Sequence, residues 1–147
     1  MKNISNIEIL LVEDNMEDAD LVMRSLKKNH LSNSILHVID GAEALDFIFG
    51  KGKYAGRNVD DRPKVVLLDL KMPKVGGIEV LRAVKSDDRT KAIPVVVMTS
   101  SREDRDLIES YELGVNAYVV KPVSFEIFSK TMADLGMFWV KVNEVPK

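Results

Sequence analysis

The sequence predicts an α/β protein with one five-stranded parallel sheet and helices on both of its faces. Three observations carry that reading. Short apolar runs alternate with helical patterns five times along the chain. Two of the runs, KVVLL and PVVVM, are apolar at consecutive positions, as strands buried on both faces of a parallel sheet must be. Alternation of strand and helix of this kind is what βαβ units require.

The first run, Ile7–Val12 (IEILLV), reads as a strand. After Glu13-Asp14-Asn15 a helix is expected, because Ala19, Val22, Met23 and Leu26 recur at spacings of three, four and seven and share one face. Asp14 or Asn15 is its candidate N-cap. Ser34–Ile39 is a second, shorter strand and Gly41–Phe49 a second helix. Gly50–Pro63 (GKGKYAGRNVDDRP) breaks the rhythm with three glycines, one proline and six charges, and is expected to be a long, tolerated surface loop. Lys64–Asp69 (KVVLLD) is a third strand ending in a carboxylate. Gly76-Gly77 opens a helix with Ile78, Leu81 and Val84 facing inward. Pro94–Met98 is the fourth strand, closed by Thr99-Ser100-Ser101. Glu103–Leu113 is a helix with a charged, solvated face, stopped by Gly114 as a C′ glycine. Asn116–Val120 is the fifth strand, closed by Lys121-Pro122. Ser124 can cap a last helix with Phe125, Phe128, Met132 and Leu135 on one face. Right-handed crossovers leave few topologies, and the expected one is the flavodoxin-like, doubly wound order 2-1-3-4-5 with five helices.

Composition narrows the function. The 147 residues suit a single domain over 1–147, with a core at about 5–135 and a helical extension at 136–147. Lys+Arg 21 against Asp+Glu 23 gives a net charge of −2, which carries no basic footprint for nucleic acid. The absence of cysteine removes disulfides, thiolate catalysis and Cys-ligated metals. No apolar run approaches the ~20 residues of a membrane span, and the N-terminus lacks a signal-peptide layout. A cytoplasmic protein is expected.

In a doubly wound sheet, ligands sit beyond the carboxyl ends of the strands, where the order switches between strands 1 and 3. Glu13 and Asp14 follow strand 1, Asp69 strand 3, Thr99 strand 4 and Lys121 strand 5. Unit charges ~4 Å apart repel by roughly 4 kcal/mol at an effective dielectric of ~20, so clustered carboxylates require a cation. Lys121 supplies one charge. Oxygen donors without Cys or a suitable His pair favour Mg²⁺, which keeps waters and shares phosphate oxygens with its substrate. The site reads as a place where a phosphoryl group meets a carboxylate.

The segments LLVEDN, LLDLKMPKVGG, VVVMTSS and AYVVKP, in that order and at strand ends, resemble the receiver domain of two-component response regulators. The resemblance runs from Ile7 to about Leu135. The tail LGMFWVKVNEVP and the Gly50–Pro63 loop are similar to receivers near the cyanobacterial phytochrome regulators. The resemblance implies that Asp69 accepts a phosphoryl group from the phosphohistidine of a sensor histidine kinase or phytochrome-like kinase. It implies Glu13, Asp14, Asp69 and the backbone carbonyl of Lys71 as Mg²⁺ ligands, Thr99 on the phosphoryl oxygens, and Lys121 against their charge. Tyr118 becomes the aromatic switch coupled to Thr99, and Pro122 follows a cis peptide. Lys71 and Ser101, each two residues after Asp69 or Thr99, are expected to tune the phosphate lifetime.

Other functions fit less well. A haloacid-dehalogenase-type phosphatase wants a second Asp where Lys71 stands. An FMN protein wants a Ser/Thr/Gly-rich loop where the acidic EDNMED stands. A non-phosphorylated interaction module is expected to lack Asp69, Lys121 or one of the acidic pair, and all are present. No separate small-molecule turnover is expected. Only about ten residues follow the last helix, so output is expected through a downstream protein or phosphotransfer partner rather than DNA. His30 and His37 read as structural or solvated, and the methionines as core filler. The tail at Gly136–Val142 either packs back on the domain or is buried in a homodimer through strand 5 and the last helix.

Overall fold

The computed structural model describes residues 7–28, 34–72, 74–100, 103–121 and 125–143. Five strands, β1 (Ile9–Val12), β2 (Ile35–Val38), β3 (Val65–Leu68), β4 (Val95–Thr99) and β5 (Ala117–Val120), form one parallel sheet in the order β2-β1-β3-β4-β5. Five helices connect and close it: α1 (Met16–Lys28), α2 (Gly41–Phe49), α3 (Gly77–Ser86), α4 (Asp104–Glu112) and α5 (Phe125–Gly136). The flavodoxin-like order read from the sequence is the order of this sheet. No described helix is long and apolar enough to cross a membrane.

Side chains alternate across the strands and feed two cores. Leu10, Val12, Val66, Leu68, Val95 and Val97 pack with Phe47 of α2 and Val80, Leu81 and Val84 of α3. Ile9, Leu11, Val65, Leu67, Val96 and Met98 face the other way, toward Val22 and Leu26 of α1 and Phe128 and Met132 of α5. The continuous apolarity of the strands is thus the signature of a sheet covered on both sides.

Local chemistry sets the helix ends. Asn15, one of the two candidates, caps α1: its Oδ1 accepts from the Asp18 N–H at 3.0 Å. Asp40 does the same for α2, accepting from the Glu43 N–H at 2.8 Å. Gly114 takes φ +97 just past α4, the role of a C′ glycine that its position in the sequence predicts. The strands begin or end one or two residues inside several of the predicted runs.

Gly50–Pro63 departs from the expectation of a plain surface loop. A 3-10 turn forms at Gly52–Tyr54, and Tyr54 is buried edge-on against the Phe47 ring at 5.3 Å. The buried Arg57 guanidinium lies 4.0 Å over the same ring. It donates to the carbonyls of Phe47 at 2.9 Å, Ile48 at 3.4 Å and Asp61. One arginine therefore satisfies carbonyls at the end of α2 that the helix itself leaves open. Of the six charges in this segment, that of Arg57 folds inward.

The tail continues α5 as a π-helical turn, Met137–Val142. Val140 is buried and Trp139 packs on the α1/α5 core, while Lys64 Nζ donates to the Val140 carbonyl at 3.1 Å. Met137 and Phe138 remain exposed. The tail thus packs back with one side and leaves the other open. Ser101, Pro122 with its predicted cis peptide, Ser124 and His30 lie outside the described residues.

Candidate functional site

Strand register gathers the predicted site. Val12 pairs with Leu68 and Thr99 with Val120, so the residues that follow each strand emerge at one level of the sheet. Backbone bonds continue one step past the ladder: Asp69 N–H donates to Val12 O at 3.0 Å, Glu13 N–H to Val38 O at 3.1 Å, and Lys121 N–H to Thr99 O at 2.8 Å. These peptides fix the bases of Glu13, Asp69 and Lys121 on the rigid part of the molecule.

Glu13, Asp14 and Asp69 each present a carboxylate oxygen, and those oxygens lie within 4.8 Å of one another. Glu13 is fully buried, Asp69 nearly so, and Asp14 exposed. Lys121 enters from the end of β5. Its Nζ donates to Glu13 Oε1 at 2.6 Å and to Asp18 Oδ2 at 2.7 Å, and stands 3.7 Å from Asp69 Oδ2. Asp18, on the first turn of α1, is a member of the site that the sequence reading did not assign. Asp18 lies three residues after the N-cap Asn15, and that first turn of α1 brings its carboxylate to Lys121.

Burial pushes the Glu13 carboxyl up to about 8, with Asp69 adding to the rise and the Lys121 ammonium opposing it. Burial alone would lower the Lys121 ammonium, but Asp18, Glu13 and Asp69 outweigh it and hold its pKa above the ordinary lysine value. The pocket has more negative charge than Lys121 can balance. Its donors are all oxygen, the ligand type that small hard divalent cations take. The residues present fit a divalent ion of that class.

Thr99 ends β4 fully buried. Tyr118 pairs with Val97 across β4 and β5 and packs, partly buried, against the α2/α3 core. Val97 faces that same core, and Thr99, two residues on, projects to the same side of the sheet. Lys71 is exposed beside Asp69. His37, read as structural or solvated, bonds through Nε2 to the Glu13 carbonyl at 2.8 Å and so supports the base of the pocket.

Close packing holds Asp69 from behind. The Gly77 N–H donates to Leu70 O at 2.9 Å. A Cβ on Gly77 would lie 2.2 Å from Asp69 O and 2.6 Å from Leu70 Cα. The Asp69–Leu70 backbone therefore rests directly on the start of α3, which only glycine permits.

Residues 9–132 match the response regulator receiver domain. The response regulator Rcp1 of Synechocystis sp. is 38% identical over 138 residues, spanning 94% of this chain and 92% of its own. Its Mn²⁺-bound crystal structure superposes with a TM-score of 0.87 at 37% identity, covering 95% of this chain and 98% of that one. The phosphorylated cyanobacterial phytochrome response regulator RcpA gives a TM-score of 0.87 at 36% identity, with 95% and 97% covered. The bacteriophytochrome response regulator AtBRR is 55% identical with a TM-score of 0.71, covering 92% and 96%. This chain belongs to the response regulator receiver domain family of two-component signalling.

Proposed function

We propose that this chain is a phosphoacceptor in a two-component phosphorelay, with Asp69 as the residue that is phosphorylated. One observation carries the reading: Asp69 shares its pocket with the carboxylates of Glu13 and Asp14, whose oxygens lie within 4.8 Å of its own, and with Lys121 at 3.7 Å. A buried carboxylate held by backbone bonds is a nucleophile with a fixed direction of attack. An Asp69 oxygen attacks the phosphorus of a kinase phosphohistidine; the new O–P bond forms as the P–N bond breaks and the imidazole leaves.

Glu13, Asp14, Asp69 and the Lys71 backbone carbonyl are the residues that would hold Mg²⁺, and the ion, when bound, supplies charge neutralisation at the phosphoryl oxygens. The fit of the donor set supports a divalent metal; a Mn²⁺-bound Rcp1 is in keeping with it. Thr99 donates its hydroxyl to a phosphoryl oxygen, and Lys121 pairs with the developing charge. Lys71 and Ser101, each two residues along the chain from Asp69 or Thr99, set the phosphate lifetime. Tyr118 turns inward as Thr99 moves, and so carries the event to the surface of β4, β5 and the last two helices.

The phosphoryl donor is a sensor histidine kinase or phytochrome-like kinase, a choice supported by the likeness to the phytochrome response regulator RcpA and the bacteriophytochrome response regulator AtBRR. The output is a downstream protein or a further phosphotransfer partner, without nucleic acid or membrane. The chain acts in the cytoplasm. A homodimer through β5 and the last helix would cover the apolar surface left by Met137, Phe138 and Ile127.

Acetyl phosphate with Mg²⁺ tests this directly. Acid-labile label should enter the wild-type chain and be lost both in Asp69→Asn and on addition of EDTA. Equal labelling of Asp69→Asn would overturn the assignment.

A further inference from the structure

We propose that Asp18 is a positioning residue that holds the Lys121 head toward α1 and competes with the phosphoryl group for it. The inference rests on the reading that Lys121 meets the phosphoryl group on Asp69. An ammonium has three protons to donate. Two of them go to Glu13 Oε1 at 2.6 Å and Asp18 Oδ2 at 2.7 Å, while Asp69 Oδ2, at 3.7 Å, is beyond hydrogen-bond reach. Lys121 is thus seated on the α1 side of the pocket rather than on the acceptor.

Asp18 is built into that position. Its own N–H is tied to Asn15 Oδ1 at 3.0 Å, which fixes the first turn of α1 beneath it. The Lys121 side chain is only 12% exposed, so its contact with Asp18 is shielded from bulk water. Asp18 itself is 31% exposed and opens toward the surface, so its carboxylate can return to water when the lysine leaves. Glu13 cannot do this, being fully buried. Of the two carboxylates that hold Lys121, Asp18 is the one that can release it.

The consequence is a bias against the anion. A phosphoryl group adds about −1.5 to −2 charge at neutral pH, to a pocket where Asp14, Asp18 and Asp69 already face one ammonium. Asp18 both repels that charge and occupies the cation that would meet it. Removing the Asp18 carboxylate leaves Lys121 free to turn to Asp69 and its ligand. The acidic residue therefore sets how readily the pocket accepts a phosphoryl anion, without touching it.

Beryllium fluoride with saturating Mg²⁺ is the probe, followed by ¹⁹F NMR titration of the full chain. Asp18→Ala should bind about three- to tenfold more tightly than wild type, the range expected for loss of one partly screened charged contact. Asp18→Asn should lie between, and Asp18→Glu should restore the wild-type value. Asp20→Asn removes the same charge from an exposed pair with Arg24 on α1, away from Lys121, and should leave the affinity unchanged. Thermal unfolding of each variant separates a damaged helix start, which lowers stability and cannot raise affinity. Unchanged or weaker binding in Asp18→Ala and Asp18→Asn overturns the proposal, as does an equal rise in Asp20→Asn. A wild-type chain that takes up no beryllium fluoride overturns the phosphoryl reading of the pocket and this inference with it.

Discussion

Substituting each of two adjacent glycines should give unequal results, because an added Cβ would clash with the acceptor peptide at only one of them. At Gly77 an added Cβ would lie 2.2 Å from Asp69 O, 2.6 Å from Leu70 Cα and 3.0 Å from Asp69 C. All three atoms are backbone, so no rotamer change relieves the overlap. Overpacking of a core costs about 1–3 kcal/mol, and a clash with main chain belongs at the upper end, about 3 kcal/mol. For a chain of this length that lowers Tm by about 6–12 °C. The displaced peptide is that of Asp69, so divalent-ion affinity should fall as well. At Gly76 the nearest atom to an added Cβ is Leu70 O at 3.7 Å, an ordinary contact, and its φ of −74° suits any residue. Gly76→Ala should therefore stay within about 1 kcal/mol of wild type. Thermal unfolding and Mn²⁺ titration of both variants give the comparison. A Gly77→Ala chain as stable as wild type, or equal losses in the two variants, would refute the packing argument.

Three further outcomes follow from single contacts. Arg57→Met should lower stability by about 2–3 kcal/mol in urea unfolding, because it strips hydrogen bonds from the Phe47 and Asp61 carbonyls while keeping much of the apolar stem; an unchanged midpoint would return the segment to a plain loop. Burial raises the Glu43 carboxyl, but hydrogen bonds from Lys53 and Tyr54 outweigh it and the net shift is downward. Glu43 therefore contributes stability above its ordinary value of 4.5 that is lost as pH falls through the lower folded value. Wild type should exceed Glu43→Gln by up to about 1 kcal/mol at pH 7, a gap kept small by solvent screening, and the two should converge in acid. Val140→Ala should cost about 1–3 kcal/mol, since Val140 is 4% exposed, whereas Phe138→Ser, at 47% exposed, should cost well under that. Equal losses at both positions would mean that the tail packs differently.

Much of this arrangement was legible in the chain, for reasons that can be named. VVLL and VVVM are apolar at every position because both faces of β3 and β4 are covered, so periodicity and burial gave one answer. Glu13, Asp14, Asp69 and Lys121 were legible because a parallel sheet places the residue after each strand on one edge, and the register of β1, β3, β4 and β5 does so here. Asp18 escaped notice because it sits on a helix, where a carboxylate in the first turn already has a reason in the helix dipole. Arg57 escaped because a guanidinium is buried only when carbonyls and a ring face converge on it. That convergence depends on tertiary contact across ten residues of chain, which no local pattern encodes. The tail was ambiguous for a related reason. Its apolar residues point two ways, Val140 inward and Phe138 outward, and composition alone cannot separate them.

Reduction with borohydride converts an aspartyl phosphate to homoserine, so peptide mass spectrometry after treatment with acetyl phosphate and Mg²⁺ locates the acceptor. The account requires homoserine at position 69 and nowhere else, and none when EDTA replaces the ion. Homoserine at Asp14 or another acid, or its formation at 69 without any divalent cation, would contradict it.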